Sequence, residues 1–114
     1  MSEPCIFCRI ALKDVPSDIV YEDAAIVAFR DLNPQAPTHV LLIPKRHVAS
    51  LDGMVDADAK LLGTMMLAAK HVAAASGLVN GYRVVTNCGA DGGQSVSHVH
   101  LHLLGGRPMA WPPG

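Results

Sequence analysis

Residues 98–104 read His98-Val99-His100-Leu101-His102-Leu103-Leu104, an alternation of imidazole and apolar side chains. A repeat of two is the pattern of a β-strand, because successive side chains point to opposite faces. A strand here puts His98, His100 and His102 on one face and Val99, Leu101 and Leu103 on the other. Neighbouring imidazoles then start about 7 Å apart along the strand. One face is a core. The other is a row of groups titrating near neutral pH, suited to proton transfer, metal binding or nucleophilic attack. A half-exposed polar face is the plain alternative. Strict alternation just after a glycine-rich loop favours a functional site.

The rest of the chain supplies partners for such a strand. Residues Pro4 to Ala11 can form a short helix carrying Ile6, Phe7 and Ile10. Ile19–Tyr21 and Ile26–Phe29 read as two short strands around a turn at Glu22-Asp23. Asn33-Pro34-Gln35-Ala36-Pro37 is a rigid loop, and His39–Ile43 is a strand closed by Pro44. One long helix is expected from about Ala57 to Ser76, capped by Asp56 and ended by Gly77. Lys60, Thr64 and His71 fall on its water side. Leu61, Leu62, Met65, Met66, Ala69, Val72 and Ala73 form an apolar stripe wider than one packing surface needs, which implies contact with a second subunit. Tyr82–Asn87 is a further strand, and Cys88–Ser97 is the loop before the histidines. Strands in hairpin-like order with few helices predict an α+β domain on an antiparallel sheet.

Composition narrows the class. The chain has 114 residues, enough for a single domain over 1–114, and half of them are hydrophobic. A net charge of −1 gives no basic footprint for a nucleic-acid polymer. The start Met1-Ser2-Glu3-Pro4 lacks the features of a secretion signal, and no apolar run has the length of a membrane span. A cytoplasmic protein without membrane contact is expected. Three cysteines fit a reducing compartment.

Two other motifs bear chemistry. Gly89-Ala90-Asp91-Gly92-Gly93-Gln94-Ser95 can turn successive backbone N–H groups toward one anion, beside the imidazoles. Cys5-Ile6-Phe7-Cys8 is a zinc half-site or a redox pair, and no thioredoxin-like βαβ pattern follows it. Asp31 and Asn87 read equally well as turn or strand-end residues, Phe7, Phe29 and Leu32 as core, and Ser95 as a cap.

The segment from Gly92 to Leu104 resembles the histidine-triad (HIT) signature, in which three histidines alternate with apolar residues. Asp31–His39, Ile43-Pro44-Lys45, Gly81-Tyr82-Arg83, Gly105-Gly106-Arg107 and Trp111–Gly114 resemble the nucleotide-binding phosphoramidase branch of that family. The resemblance covers nearly the whole chain. It implies a five-stranded antiparallel sheet with one long and one short helix, and a homodimer with a continuous ten-stranded sheet. The tail with Trp111 would approach the partner's site. It further implies a purine nucleotide ligand (AMP- or GMP-like) and hydrolysis at the α-phosphate of adenosine monophosphoramidates, with no catalytic cofactor.

By the same resemblance, His100 is the nucleophile and forms a nucleotidyl-histidine, splitting one hard step into two. His102 lies near the phosphoryl oxygens, and His39 and His98 support the triad. Ser95 and Asn87 contact the phosphate or leaving group, and Gly93, Gln94 and Val96 belong to the phosphate loop. Asp31 holds the ribose hydroxyls. Ile6, Phe7, Ile10, Phe29 and Leu32 form the base pocket. Some relatives complete a structural zinc site with residues matching Cys5, Cys8, His47 and His98; plain thiols are the alternative. Ser97 departs from the aromatic residue frequent at its position. Two other functions compete: a non-catalytic nucleotide-binding or interaction module, and a hydrolase with zinc on the three histidines. Bonds near 2 Å make one tetrahedral site from alternate strand residues awkward.

Overall fold

In the computed structural model, which describes residues 5–114, the histidine segment joins a sheet only from Leu101 onward. The strands are β1 (Ile19–Glu22), β2 (Ile26–Arg30), β3 (Thr38–Pro44), β4 (Tyr82–Val85) and β5 (Leu101–Gly105). They form one five-stranded antiparallel sheet in the order β1-β2-β3-β5-β4. The short helix α1 covers Ile6–Ala11 and the long helix α2 covers Ala59–Ala75. Pro4, the expected first residue of α1, lies outside the described residues, as do Met1, Ser2 and Glu3. This is the α+β architecture expected.

Strands β2 and β3 are buried along almost their whole length because the sheet is covered on both faces. On one face Ile26, Ala28, Val40, Leu42, Leu101 and Leu103 pack under Met65, Ala68, Ala69, Val72 and Ala73 of α2. On the other, Val27, Phe29, Leu41 and Ile43 pack against Phe7 and Ile10 of α1. Leu41 pairs with His102 and His39 with Leu104, so β3 and β5 carry both histidines on the α1 face.

The strand expected over residues 98–104 is therefore shorter at its start. His98, Val99 and His100 leave the ladder because other groups hold their backbone. The N–H of Val99 donates to the carbonyl of Val48 at 2.7 Å. The Thr86 hydroxyl donates to the carbonyl of His100 at 2.9 Å. Thr86 and Asn87, expected in a strand, likewise follow the end of β4.

The long helix also begins differently. A 3-10 turn over Asp56–Asp58 leads into it, and its N-terminal flank is Asp58, not Asp56. Asp58 does not cap forward. Its carboxylate accepts from the N–H of Val55 at 2.9 Å and pairs with Arg46. At the far end Gly77 adopts φ +73°, and Leu78 N–H reaches back to the Ala73 carbonyl at 3.1 Å, as expected of a helix-ending glycine. Lys60 and His71 face water; Thr64 is half-buried and its hydroxyl donates to the Lys60 carbonyl. Of the predicted stripe Leu61, Met65, Ala69, Val72 and Ala73 pack on the sheet and Ala68 joins them, whereas Met66 on the flank is 47% exposed. Among the described residues no helix is long and apolar enough to cross a membrane.

Met65 is the fully buried centre of the α2 contact. Met65→Ala is expected to cost about 2–5 kcal/mol through lost burial and the cavity left behind. Urea unfolding of wild type and variant measures it.

Candidate functional site

Four histidines meet on the α1 face, and their hydrogen bonds fix where the protons sit. The backbone N–H of Gln35 donates to His39 Nδ1 at 3.0 Å, so that nitrogen is bare and Nε2 carries the hydrogen. His39 Nε2 faces His102 Nδ1 at 2.9 Å and the Asp31 carboxylate at 3.5 Å. The shorter contact takes the hydrogen, so His102 Nδ1 accepts and its Nε2 carries an N–H. Burial pushes His102 down to about 4, with the neighbouring His100 and His39 adding to the effect against the opposing pull of Asp31. Burial lowers His39 as well, again against Asp31. Asp31, His39 and His102 converge as metal ligands would. The nitrogens between the two rings are already used for a hydrogen bond, which makes this a proton-fixing chain.

The loop supporting His39 is braced by hydrogen bonds. Asp31 accepts from the N–H of Asn33 at 2.8 Å, and Arg107 clasps the Gln35 carbonyl at 2.9 and 3.1 Å.

His98 and His100 are buried. His100 Nδ1 donates to the carbonyl of His98 at 2.7 Å, which leaves His100 Nε2 with a free lone pair. His100 and His102 lie with ring centroids 5.0 Å apart, closer than strand spacing alone gives, because His100 lies outside the ladder. Phe7 meets His98 and His100 edge-on at 5.9 and 5.1 Å, and Phe29 at 5.5 Å.

A cavity of about 240 Å³ opens beside these rings, lined in part by Ile6, Phe7, Ile10, Phe29, Asp31 and Leu32. All the expected pocket residues are thus brought together with a carboxylate at the edge. Leu32 is fully exposed, which is wrong for a core residue and right for a surface that meets a ligand. Val15, Ser17, Arg30 and Leu41 also line it and were not singled out in the sequence. Val15 and Ser17 alternate with exposed neighbours, a weak period-two signal in a short connection. The Ser17 hydroxyl is buried with no hydrogen-bond partner among the described residues.

The glycine-rich loop is held by side chains. Asn87 Nδ2 donates to the Gly92 carbonyl at 2.6 Å. Gln94 accepts from the N–H of Gly89 and donates to the carbonyls of Ala49 and Val96, so its amide closes the loop and ties it to the segment at Ala49. A Cβ at Gly92 would collide with the Cys88 carbonyl oxygen, and Gly93 has φ +77°. Both positions require glycine. Ser95 and Ser97 are exposed, and Val96 packs against the core cluster on the α1 face.

The second cluster unites Cys5, Cys8, His47 and His98. His98 Nε2 donates to the Pro44 carbonyl at 2.8 Å, so His98 Nδ1 is bare. That lone pair faces His47 Nδ1 at 3.2 Å, Cys5 Sγ at 3.3 Å and Cys8 Sγ at 3.5 Å. Cys8 Sγ lies 3.3 Å from His47 Nδ1. A tetrahedral zinc with its usual bond lengths needs donors about 3.3–3.8 Å apart. The residues fit the ion: converging lone pairs, too few protons to bond them all, and the right ligand chemistry. Burial and the neighbouring Cys5 raise the Cys8 thiol, which is what two thiols crowded together do without a cation between them.

Comparison with known proteins agrees with this picture. A family model for the HIT domain matches residues 13–109. The chain is 54% identical to a 14 kDa zinc-binding protein of Zea mays over 114 aligned residues, covering 97% of this chain and 88% of that one. A HIT family hydrolase from Legionella pneumophila superposes with TM-score 0.95 at 53% identity, covering 97% of this chain and 100% of that chain. A histidine triad nucleotide-binding protein from Candida albicans superposes with TM-score 0.81 at 34% identity, covering 96% of this chain and 83% of that chain.

The wiring of His102 has a measurable sign. Its folded value of about 4 lies below its ordinary 6.5, so the unfolded chain binds the extra proton between those values. Stability from this group is full above about 6.5 and is lost as pH falls toward 4. Ring-nitrogen NMR across that range should find His102 neutral at pH 6, and urea midpoints should fall through the same window.

Proposed function

This chain belongs to the HIT domain family, and from that membership and its site we propose that it is a purine nucleoside phosphoramidase. The observation carrying the reading is the 2.7 Å bond from His100 Nδ1 to the His98 carbonyl. It leaves the other nitrogen of a buried, fixed imidazole as a nucleophile.

The base occupies the apolar cavity, with the Asp31 carboxylate accepting from the ribose hydroxyls. Backbone N–H groups of the loop at Ser95 and Val96 receive the α-phosphate, while the Gly93 N–H closes the loop onto the Ala90 carbonyl. His100 Nε2 attacks phosphorus, the P–N bond breaks, and the leaving nitrogen takes a proton from solvent that hydrolysis of the intermediate later returns. His102, with Nε2–H outward, donates to a phosphoryl oxygen as charge develops there. Ser95 and Asn87 stand on the leaving-group side. Water then adds across the phosphorus–His100 bond, releasing the nucleoside monophosphate and restoring the imidazole. An apolar cavity separates purines weakly, so AMP and GMP derivatives are both accepted. Every group that reacts in this sequence is a side chain or backbone group of the chain, and the Cys5/Cys8/His47/His98 site holds a structural zinc that takes no part in the reaction. The cytoplasm, where Cys5 and Cys8 stay reduced, suits this arrangement.

With an adenosine phosphoramidate as substrate, His100→Ala should lower turnover by about 10⁴-fold or more. AMP binding, measured by calorimetry, should persist in the same variant. Wild-type-like turnover without His100 would refute the nucleophile.

We further propose a homodimer formed through β4. That strand is an edge of the sheet with unpaired backbone groups, and Tyr82, Met66 and Leu67 expose large apolar surface. Trp111 is 84% exposed on a tail anchored by Arg83 to the Ala110 carbonyl, free to reach the partner's site. Sedimentation at micromolar concentration should give twice the 12.0 kDa chain mass. A monomer would contradict the pairing.

A further inference from the structure

Helix α1 cannot hold itself in place. It has six residues, no side-chain cap at Cys5 and no acid in its first turn. A helix that short persists only with tertiary support. Phe7 and Ile10 supply apolar contact. Among the described residues, the polar links from α1 and its cap to the rest of the chain are all at the two thiols, Cys5 to His98 and Cys8 to His47 and His98. The ion pair of Lys13 with Glu22 lies beyond the helix end.

The same helix is a wall of the nucleotide cavity. Ile6, Phe7 and Ile10 line it, and Phe7 sits between the two cysteines in sequence. The reacting imidazole is fastened differently. His98 keeps its bond to Pro44, Val99 is held by Val48 and the His100 carbonyl by Thr86, none of which involves a thiol.

We propose that zinc on Cys5, Cys8, His47 and His98 controls nucleotide affinity by fastening α1 as a cavity wall, while leaving the chemical step nearly unchanged. The affinity part rests on the nucleotide reading of the cavity given above. Without the ion only weak thiol–imidazole hydrogen bonds remain in place of four metal bonds, and the hold on α1 loosens. The fraction of molecules with α1 seated falls, and apparent affinity falls in proportion. If one molecule in ten keeps the wall, the apparent Kd rises about tenfold.

The test uses the full chain loaded with Zn²⁺, stripped with a chelator, and reloaded. Two readouts are taken. Amide hydrogen exchange at Arg9 and Leu12, whose N–H groups bond to the carbonyls of Cys5 and Cys8, reports α1 without any nucleotide. Calorimetric AMP binding and the kcat and KM for an adenosine phosphoramidate report the cavity. Stripping should speed exchange in α1 but not in β3 or β5. It should raise the Kd for AMP and the KM about tenfold with kcat within about twofold, all restored by Zn²⁺. His47→Gln removes a ligand that belongs neither to α1 nor to the cavity lining, and should behave as the stripped protein. Circular dichroism confirms that the variant is folded, and Cys5→Ser/Cys8→Ser serves if it is not. Failure of the chain to bind Zn²⁺ overturns the proposal. So does unchanged α1 exchange and AMP affinity after stripping, or a collapse of kcat at constant Kd. If zinc-loaded protein shows protected α1 amides but binds no AMP, the nucleotide reading is what fails, and the exchange result still judges the fastening.

Discussion

His98 makes three attachments with three different parts of itself. Its Nε2–H binds the Pro44 carbonyl, its Nδ1 faces the thiols and His47, and its own carbonyl receives His100 Nδ1–H. Each fixes the next, because an imidazole with one nitrogen protonated must leave the other bare. The direction of the His100 lone pair thus depends on a carbonyl whose residue is pinned from two sides. Such geometry needs His98 outside the ladder, where its carbonyl is free to accept a side chain.

The second organising chain runs from the Gln35 amide through His39 to His102. Here a backbone donor at a proline-bounded loop sets a proton position two imidazoles away. Burial reinforces it by keeping His39 and His102 neutral. The two chains approach each other at His100 and His102 with opposite polarity, one ring offering a lone pair and the next an N–H. That polarity matches a phosphoryl centre, which takes a nucleophile at phosphorus and a donor at oxygen.

Much of this was readable before any coordinates. Period-two alternation marked β5, short apolar runs bounded by turn residues marked β2 and β3, and the apolar repeat located α2 to within a few residues. The Cys-x-x-Cys pair and the histidines found their zinc-like arrangement through the family resemblance, since His47 has no local signal. The failures have a common cause. His98 to His100 have strand pattern but no ladder, because Val48 and Thr86 capture their backbone from distant segments. Asp56 looked like a cap, yet Asp58 is drawn off by Val55 and Arg46 across a 3-10 turn. Gln94 reads as a loop polar residue, whereas its amide is consumed by bonds within the loop and to the distant Ala49 carbonyl. Periodicity records which way a side chain points, and says nothing of which distant group its backbone will meet.

Strand β3 gives alternate residues to two separate cores, Val40 and Leu42 to the α2 side, His39 and Leu41 to the α1 side. A slip of one residue against β5 would drive His39 into the aliphatic layer and turn Leu42 toward the imidazoles. Misregistered chains are therefore poorly folded rather than stable and inert. The population that survives folding has its histidines already in order, so assembly of the chemistry needs no checkpoint of its own.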